Sequence, residues 1–86
     1  MEQTFTIKNP QGIHARPAGA IMKKASEFAN ATISLEFNGR KVSAKSITGV
    51  LTLGMKAGNE IKVIAEGDQA AEAIAAVGEV LESVLD

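Results

Sequence analysis

Near the start of the chain Phe5 and Ile7 alternate with Thr4, Thr6 and Lys8. A period of two sends successive side chains to opposite faces, so the segment predicts a strand with one buried face. Asn9-Pro10-Gln11-Gly12, a cluster of turn formers, ends it. From Pro17 the period changes: Ala18, Ile21, Met22, Ala25, Phe28 and Ala29 recur at spacings that line one stripe of a helix, with Lys23, Lys24 and Glu27 opposite. Proline is at home in the first turn, where no backbone donor is needed.

Alternation returns with Ile33, Leu35 and Phe37 set against Thr32, Ser34 and Glu36, and resumes beyond Asn38-Gly39 as Val42 and Ala44. Asn-Gly between two such runs is a strong hairpin signal, because both residues tolerate the left-handed conformation that a tight antiparallel turn demands. Ser46 then opens a short helix carrying Ile47, Val50 and Leu51 and closed by Gly54, with the serine hydroxyl as N-cap. Ile61, Val63 and Ala65 form a last strand. After Gly67-Asp68, with Asp68 as the expected N-cap, a final helix presents Ala73, Ile74, Val77, Val80, Leu81, Val84 and Leu85 on one face.

The order is βαββαβα, with one apolar face per strand and one apolar stripe per helix. An α+β open-faced sandwich, a four-stranded antiparallel sheet covered on one face by three helices, satisfies every element. The chain of 86 residues fits a single domain spanning 1–86. Its hydrophobic fraction of 45% and charged fraction of 22% are those of a folded globule, not a disordered segment. Alanine supplies many of the apolar positions and phenylalanine only three, so the core is thin and a deep cofactor pocket is not expected.

A formal charge of −1 lacks the basic excess that drives nucleic-acid binding through counterion release, and no Trp or Tyr offers a stacking surface. Without cysteine there is no disulfide, thiolate metal site or thiol nucleophile. No apolar run approaches the roughly 20 residues of a membrane helix and the first residues lack a signal-peptide pattern, so a cytoplasmic protein is expected.

The single imidazole, His14, stands where a loop becomes a helix, two residues before Arg16. The first turn of a helix carries amide hydrogens without intrahelical partners and the positive end of the macrodipole, so an anion attached there is stabilised. A guanidinium engages two phosphate oxygens at once. The pattern fits an imidazole that carries a phosphoryl group; spacing alone equally fits a surface N-cap beside an unrelated arginine. One histidine, no cysteine and no nearby acidic pair are too few groups for a hydrolase or a metal centre.

Gly12-Ile13-His14-Ala15-Arg16-Pro17-Ala18 closely resembles the active centre of HPr, the histidine-containing phosphocarrier family of bacterial sugar phosphotransferase systems. Asn38-Gly39, Lys45-Ser46-Ile47-Thr48-Gly49-Val50 and Leu53-Gly54 resemble that family's hairpin and regulatory helix in the same order. The resemblance spans essentially the whole chain and implies the same open-faced sandwich. It implies that His14 accepts phosphate through Nδ1 from enzyme I charged by phosphoenolpyruvate and passes it to an enzyme IIA. Arg16 would pair with the phosphate and Pro17 would set the loop-to-helix turn.

The resemblance also implies phosphorylation of Ser46 by an ATP-dependent HPr kinase where one exists, communicating with a catabolite-control regulator. From pattern alone Ser46 is as readily a helix cap. Ile47, Thr48 and Leu51 are candidate docking residues, with Ile47 expected exposed and Val50 buried. Thr48 departs from the larger apolar residue of many relatives, which bears on partner contacts. Arg16, Lys23, Lys24 and Lys45 would steer acidic partners. A monomeric carrier is expected, not itself an enzyme, needing no cofactor or metal. The rival reading keeps the fold but assigns a signalling role, as in nitrogen-related or catabolite-regulatory paralogues. Some such proteins lack the active histidine, which this chain has.

Overall fold

The computed structural model describes residues 1–84. The order is β1 (Glu2–Thr6), α1 (Ala15–Ser26), β2 (Ala31–Phe37), β3 (Arg40–Ser43), α2 (Ile47–Thr52), β4 (Glu60–Gly67) and α3 (Ala70–Glu82). The strands form one sheet in the order β1-β4-β2-β3, every neighbouring pair antiparallel. This is the expected βαββαβα open-faced sandwich.

Register explains the single buried face. Phe5 pairs with Ile61, Ile33 with Ala65 and Leu35 with Val63, so apolar residues line up across strands beneath the helices. The alternate row runs Thr4–Lys62–Glu36–Lys41 and is polar. On that open face Lys62 Nζ lies 3.3 Å from Glu2 and 3.7 Å from Glu36. The hydrogen bond and charge of Glu2, then the charge of Glu36, hold its ammonium above its ordinary value. These pairs are exposed, so they add little to stability.

The β2–β3 turn has both central residues left-handed, Asn38 at φ 55° and Gly39 at φ 78°, which matches the right-handed twist of the flanking strands. In the core, Ala18, Ile21 and Ala25 of α1 and Ala73, Ile74, Val77 and Leu81 of α3 are buried. Gly78 lets α3 lie against the ring of Phe5, where a Cβ would fall 2.1 Å from the ring.

Several boundaries differ from the pattern. α1 begins at Ala15 rather than Pro17. Its first intrahelical bond runs from Ala18 N to His14 O, so Pro17, still within the first turn, forfeits no helix bond. α1 ends at Ser26, which leaves Phe28 half-buried in the following turn and Ala29 exposed. Asp68 is not the cap of α3. The chain leaves β4 through Gly67 at φ 102° and needs one more left-handed residue, Gln69 at φ 60°, before the helix starts, so Gln69 takes that position. α3 stops at Glu82, which drops Val84 out of the apolar stripe and leaves it 61% exposed. Leu85, assigned to the same stripe, lies outside the described residues.

Candidate functional site

His14 is the N-cap of α1, with extended backbone at φ −102° and ψ −164°, and its side chain makes no capping hydrogen bond. The first turn holds no acidic residue. The amides of a first turn point out of the helix end, where the positive end of the dipole lies, and no acidic side chain of this turn offsets it. The ring is half-buried. Its Nε2 is enclosed and meets no hydrogen-bond partner among the described residues. Arg16 sits two positions on, exposed, at the same helix end, and Pro17 is buried beneath it.

The loop that delivers His14 is held by a second loop. Gly12, at φ 70°, lies so close to the 55–56 backbone that a Cβ would come within 2.5 Å of the Met55 carbonyl oxygen. Ile13 N donates to Met55 O at 3.0 Å, Gly58 N to Ile7 O at 2.8 Å and Ile7 N to Asn59 O at 2.9 Å. Within the first loop Asn9 Nδ2 donates to Gly12 O at 2.9 Å, while Asn9 O accepts from Gly12 N at 2.8 Å. Asn9 is 2% exposed, the one buried polar residue among those described. The pattern placed it only in a cluster of turn formers; the loop it belongs to is bonded to a second loop some 45 residues later, which nothing local encodes.

Ser46 caps α2: its Oγ accepts from Gly49 N at 3.1 Å. Ile47 and Leu51 are 37% and 39% exposed, Thr48 is exposed and Val50 is buried, as the short helix predicted. One turn apart, Ile47 and Leu51 share a face of α2, and α2 packs against α1.

Lys45 differs from expectation. Its Nζ donates to Phe28 O at 3.0 Å and Ala31 O at 2.8 Å, tying the α2 approach to the turn after α1. A half-buried ammonium shared between two carbonyls is a structural tie, not a free steering charge. Lys23 and Lys24 are exposed, with Lys24 Nζ 3.9 Å from Glu27. They line a shallow groove of about 260 Å³ with Ala20, Glu27 and Val80. That groove is further along α1 than His14, which does not line it. Among the described residues no group of three or more His, Asp or Glu is placed to hold a metal ion, and no helix is long and apolar enough to cross a membrane.

The family model described as the PTS HPr component phosphorylation site matches residues 1–83. Among solved structures, an HPr from Thermoanaerobacter tengcongensis is 44% identical, with a TM-score of 0.88 over 94% of this chain and 90% of that one. The phosphocarrier protein HPr of Bacillus anthracis is 32% identical, with a TM-score of 0.89 over 95% and 96%. Crh, the catabolite repression HPr of Bacillus subtilis, is 30% identical, with a TM-score of 0.72 over 99% and 100%. The sandwich thus recurs with a match along nearly the full chain, and the chain belongs to the HPr family of phosphocarrier components of the phosphotransferase system.

Proposed function

We propose that this protein is a cytoplasmic sugar-system phosphocarrier, with His14 accepting a phosphoryl group from phospho-enzyme I and delivering it to an enzyme IIA. The observation that carries the reading is His14 as an uncapped N-cap of α1 with its Nε2 enclosed. Enclosure of Nε2 favours attack through the other ring nitrogen, Nδ1. The Nδ1 lone pair attacks phosphorus, the bond from phosphorus to the donor imidazole breaks, and the donor nitrogen keeps that electron pair. The His14 ring retains its own proton on Nε2.

The phosphate then lies beside the outward-pointing amides and the Arg16 guanidinium. A surface dipole contributes only about 0.3–1 kcal/mol, so the group is held without being trapped. An imidazole leaves readily, so transfer onward uses the same geometry in reverse. Neither direction needs a cofactor, and the protein acts as substrate of its partners' chemistry, not as an independent catalyst. Ile47, Thr48 and Leu51 offer α2 as the accompanying docking face.

Incubation with phosphoenolpyruvate and enzyme I, followed by phosphorus NMR, should show an acid-labile phosphoimidazole that disappears in His14→Ala. Phosphate elsewhere, or none, sinks the assignment.

A second, regulatory layer is supported by Ser46 and by the likeness to Crh. Ser46 Oγ serves α2 as an acceptor, and phosphorylation replaces only the hydroxyl hydrogen. The cap survives while a charge of about −1.5 to −2 arrives on the docking face, repelling acidic partners. Ser46→Asp should keep the circular dichroism spectrum and slow His14 phosphorylation. A lost fold or an unchanged rate counts against regulation by charge.

A further inference from the structure

We propose that Asn9 is a positioning residue for phosphoryl transfer, acting through the Gly12–Ile13 peptide; this rests on His14 being the phosphoryl acceptor. That peptide is gripped at both edges. Its carbonyl accepts from Asn9 Nδ2 at 2.9 Å, and its N–H donates to Met55 O at 3.0 Å. Because the peptide unit is planar, two opposed hydrogen bonds fix its rotation. Gly12 N is also bound to Asn9 O, so both backbone polar groups of Gly12 answer to one residue.

Downstream, His14 O is fixed by Ala18 N at 2.9 Å. Only the backbone torsions of Ile13 and His14 separate the clamped peptide from the helix, and Ile13 is itself buried. The Cα–Cβ direction from which the imidazole projects is therefore tied to the plane that Asn9 holds. Without the Nδ2 donor the Gly12 carbonyl is left buried beside an apolar neighbourhood and the peptide is free to turn toward another partner. Gly12, having no Cβ, opposes that rotation least. Any tilt moves Nδ1 off the line along which phosphorus must approach.

Asn9→Ala removes the donor. Asn9→Asp keeps the shape and the turn preference but sets an oxygen against the Gly12 carbonyl. Steady-state phosphorylation by phospho-enzyme I should show kcat falling about 10- to 100-fold in Asn9→Ala, as small misplacements of reacting groups do. Asn9→Asp should fall further, and KM for phospho-enzyme I should hold in both, since the docking face is elsewhere. A residue that merely shapes a turn predicts the reverse order, with Asn9→Asp close to wild type.

An Asn9→Asp rate equal to wild type, or losses that follow only the folded fraction measured by circular dichroism, overturns the proposal. Wild type that takes no phosphate at His14 instead overturns the carrier reading on which it rests. Should neither variant fold, hydrogen exchange in wild type decides: the side-chain amide protons of Asn9 should exchange far more slowly than those of exposed Asn38. Equal rates overturn the clamp.

Discussion

Two helix starts in this molecule are built differently. At α2 the cap is complete, with Ser46 Oγ accepting from Gly49 N. At α1 the N-cap is an imidazole that makes no such bond, and the loop before it is instead clamped from outside, by Asn9 and the Met55 carbonyl. The third start, at α3, also lacks a side-chain cap but places Glu72 in its first turn, where a carboxylate offsets the dipole. α1 has neither cap nor acid, and it has Arg16. A missing cap alone therefore marks nothing; a rigidly delivered uncapped start with no acid in its own first turn is what suits a transient anion.

The sharpest way to break the contrast is at the clamp. Gly12→Ala puts a Cβ 2.5 Å from the Met55 carbonyl oxygen at a φ of 70°, so strain and a backbone clash add. We expect a loss of about 3 kcal/mol in urea unfolding, with His14 phosphorylation falling beyond what unfolding explains. Gly54→Ala at φ 66° meets nothing within 4 Å. Strain alone should then cost about 1 kcal/mol and leave phosphorylation unchanged. Equal losses at the two glycines would mean that the second loop does not hold the first.

Next in size is the completed cap. Ser46→Ala should lose about 1 kcal/mol of stability, the usual worth of such a cap, with no change in the rate at which His14 takes phosphate. A slowed rate would show that α2 geometry, and not charge, links the two starts.

Much of this was legible in the residues, and the reason is locality. The alternations around Ile33 and Val42, the Asn38-Gly39 turn and the N-cap position of Ser46 are decided by neighbours within a few positions, so pattern recovered them. His14 at a loop-to-helix junction was readable for the same reason. Asn9, Lys45 and Gln69 were misread or passed over because their roles depend on distant partners. Lys45 reaches back to carbonyls at Phe28 and Ala31, and the loop that holds Asn9 is bound on both sides, at Ile7 and Ile13, by residues 55–59. Gln69 takes the start of α3 in a left-handed conformation, just after Gly67 passes so close to the Asn30 carbonyl that a Cβ there would meet it at 2.5 Å. Polar residues in turns have no periodicity, so their burial leaves no trace in a pattern.

The smallest predicted effect separates dipole from geometry. Ala15 is exposed in the first turn of α1, and Ala15→Glu would give that turn the carboxylate that α3 already has. An acid at a helix start contributes about 0.3–1 kcal/mol, so the melting temperature should rise by roughly 1–8 °C for a domain of this size. The same charge now opposes an incoming phosphate, and an equal energy set against transfer corresponds to about a 2- to 5-fold slower phosphorylation of His14. Stability and rate thus move in opposite directions, which local distortion would not produce. Added salt should shrink both changes together, because the charges involved are exposed and screened. Ala15→Gln, similar in size and uncharged, should do neither. If Ala15→Glu raises the melting temperature but leaves the rate untouched, the positive end of α1 plays no part in receiving the phosphate, and Arg16 with the clamped ring must account for the site without it.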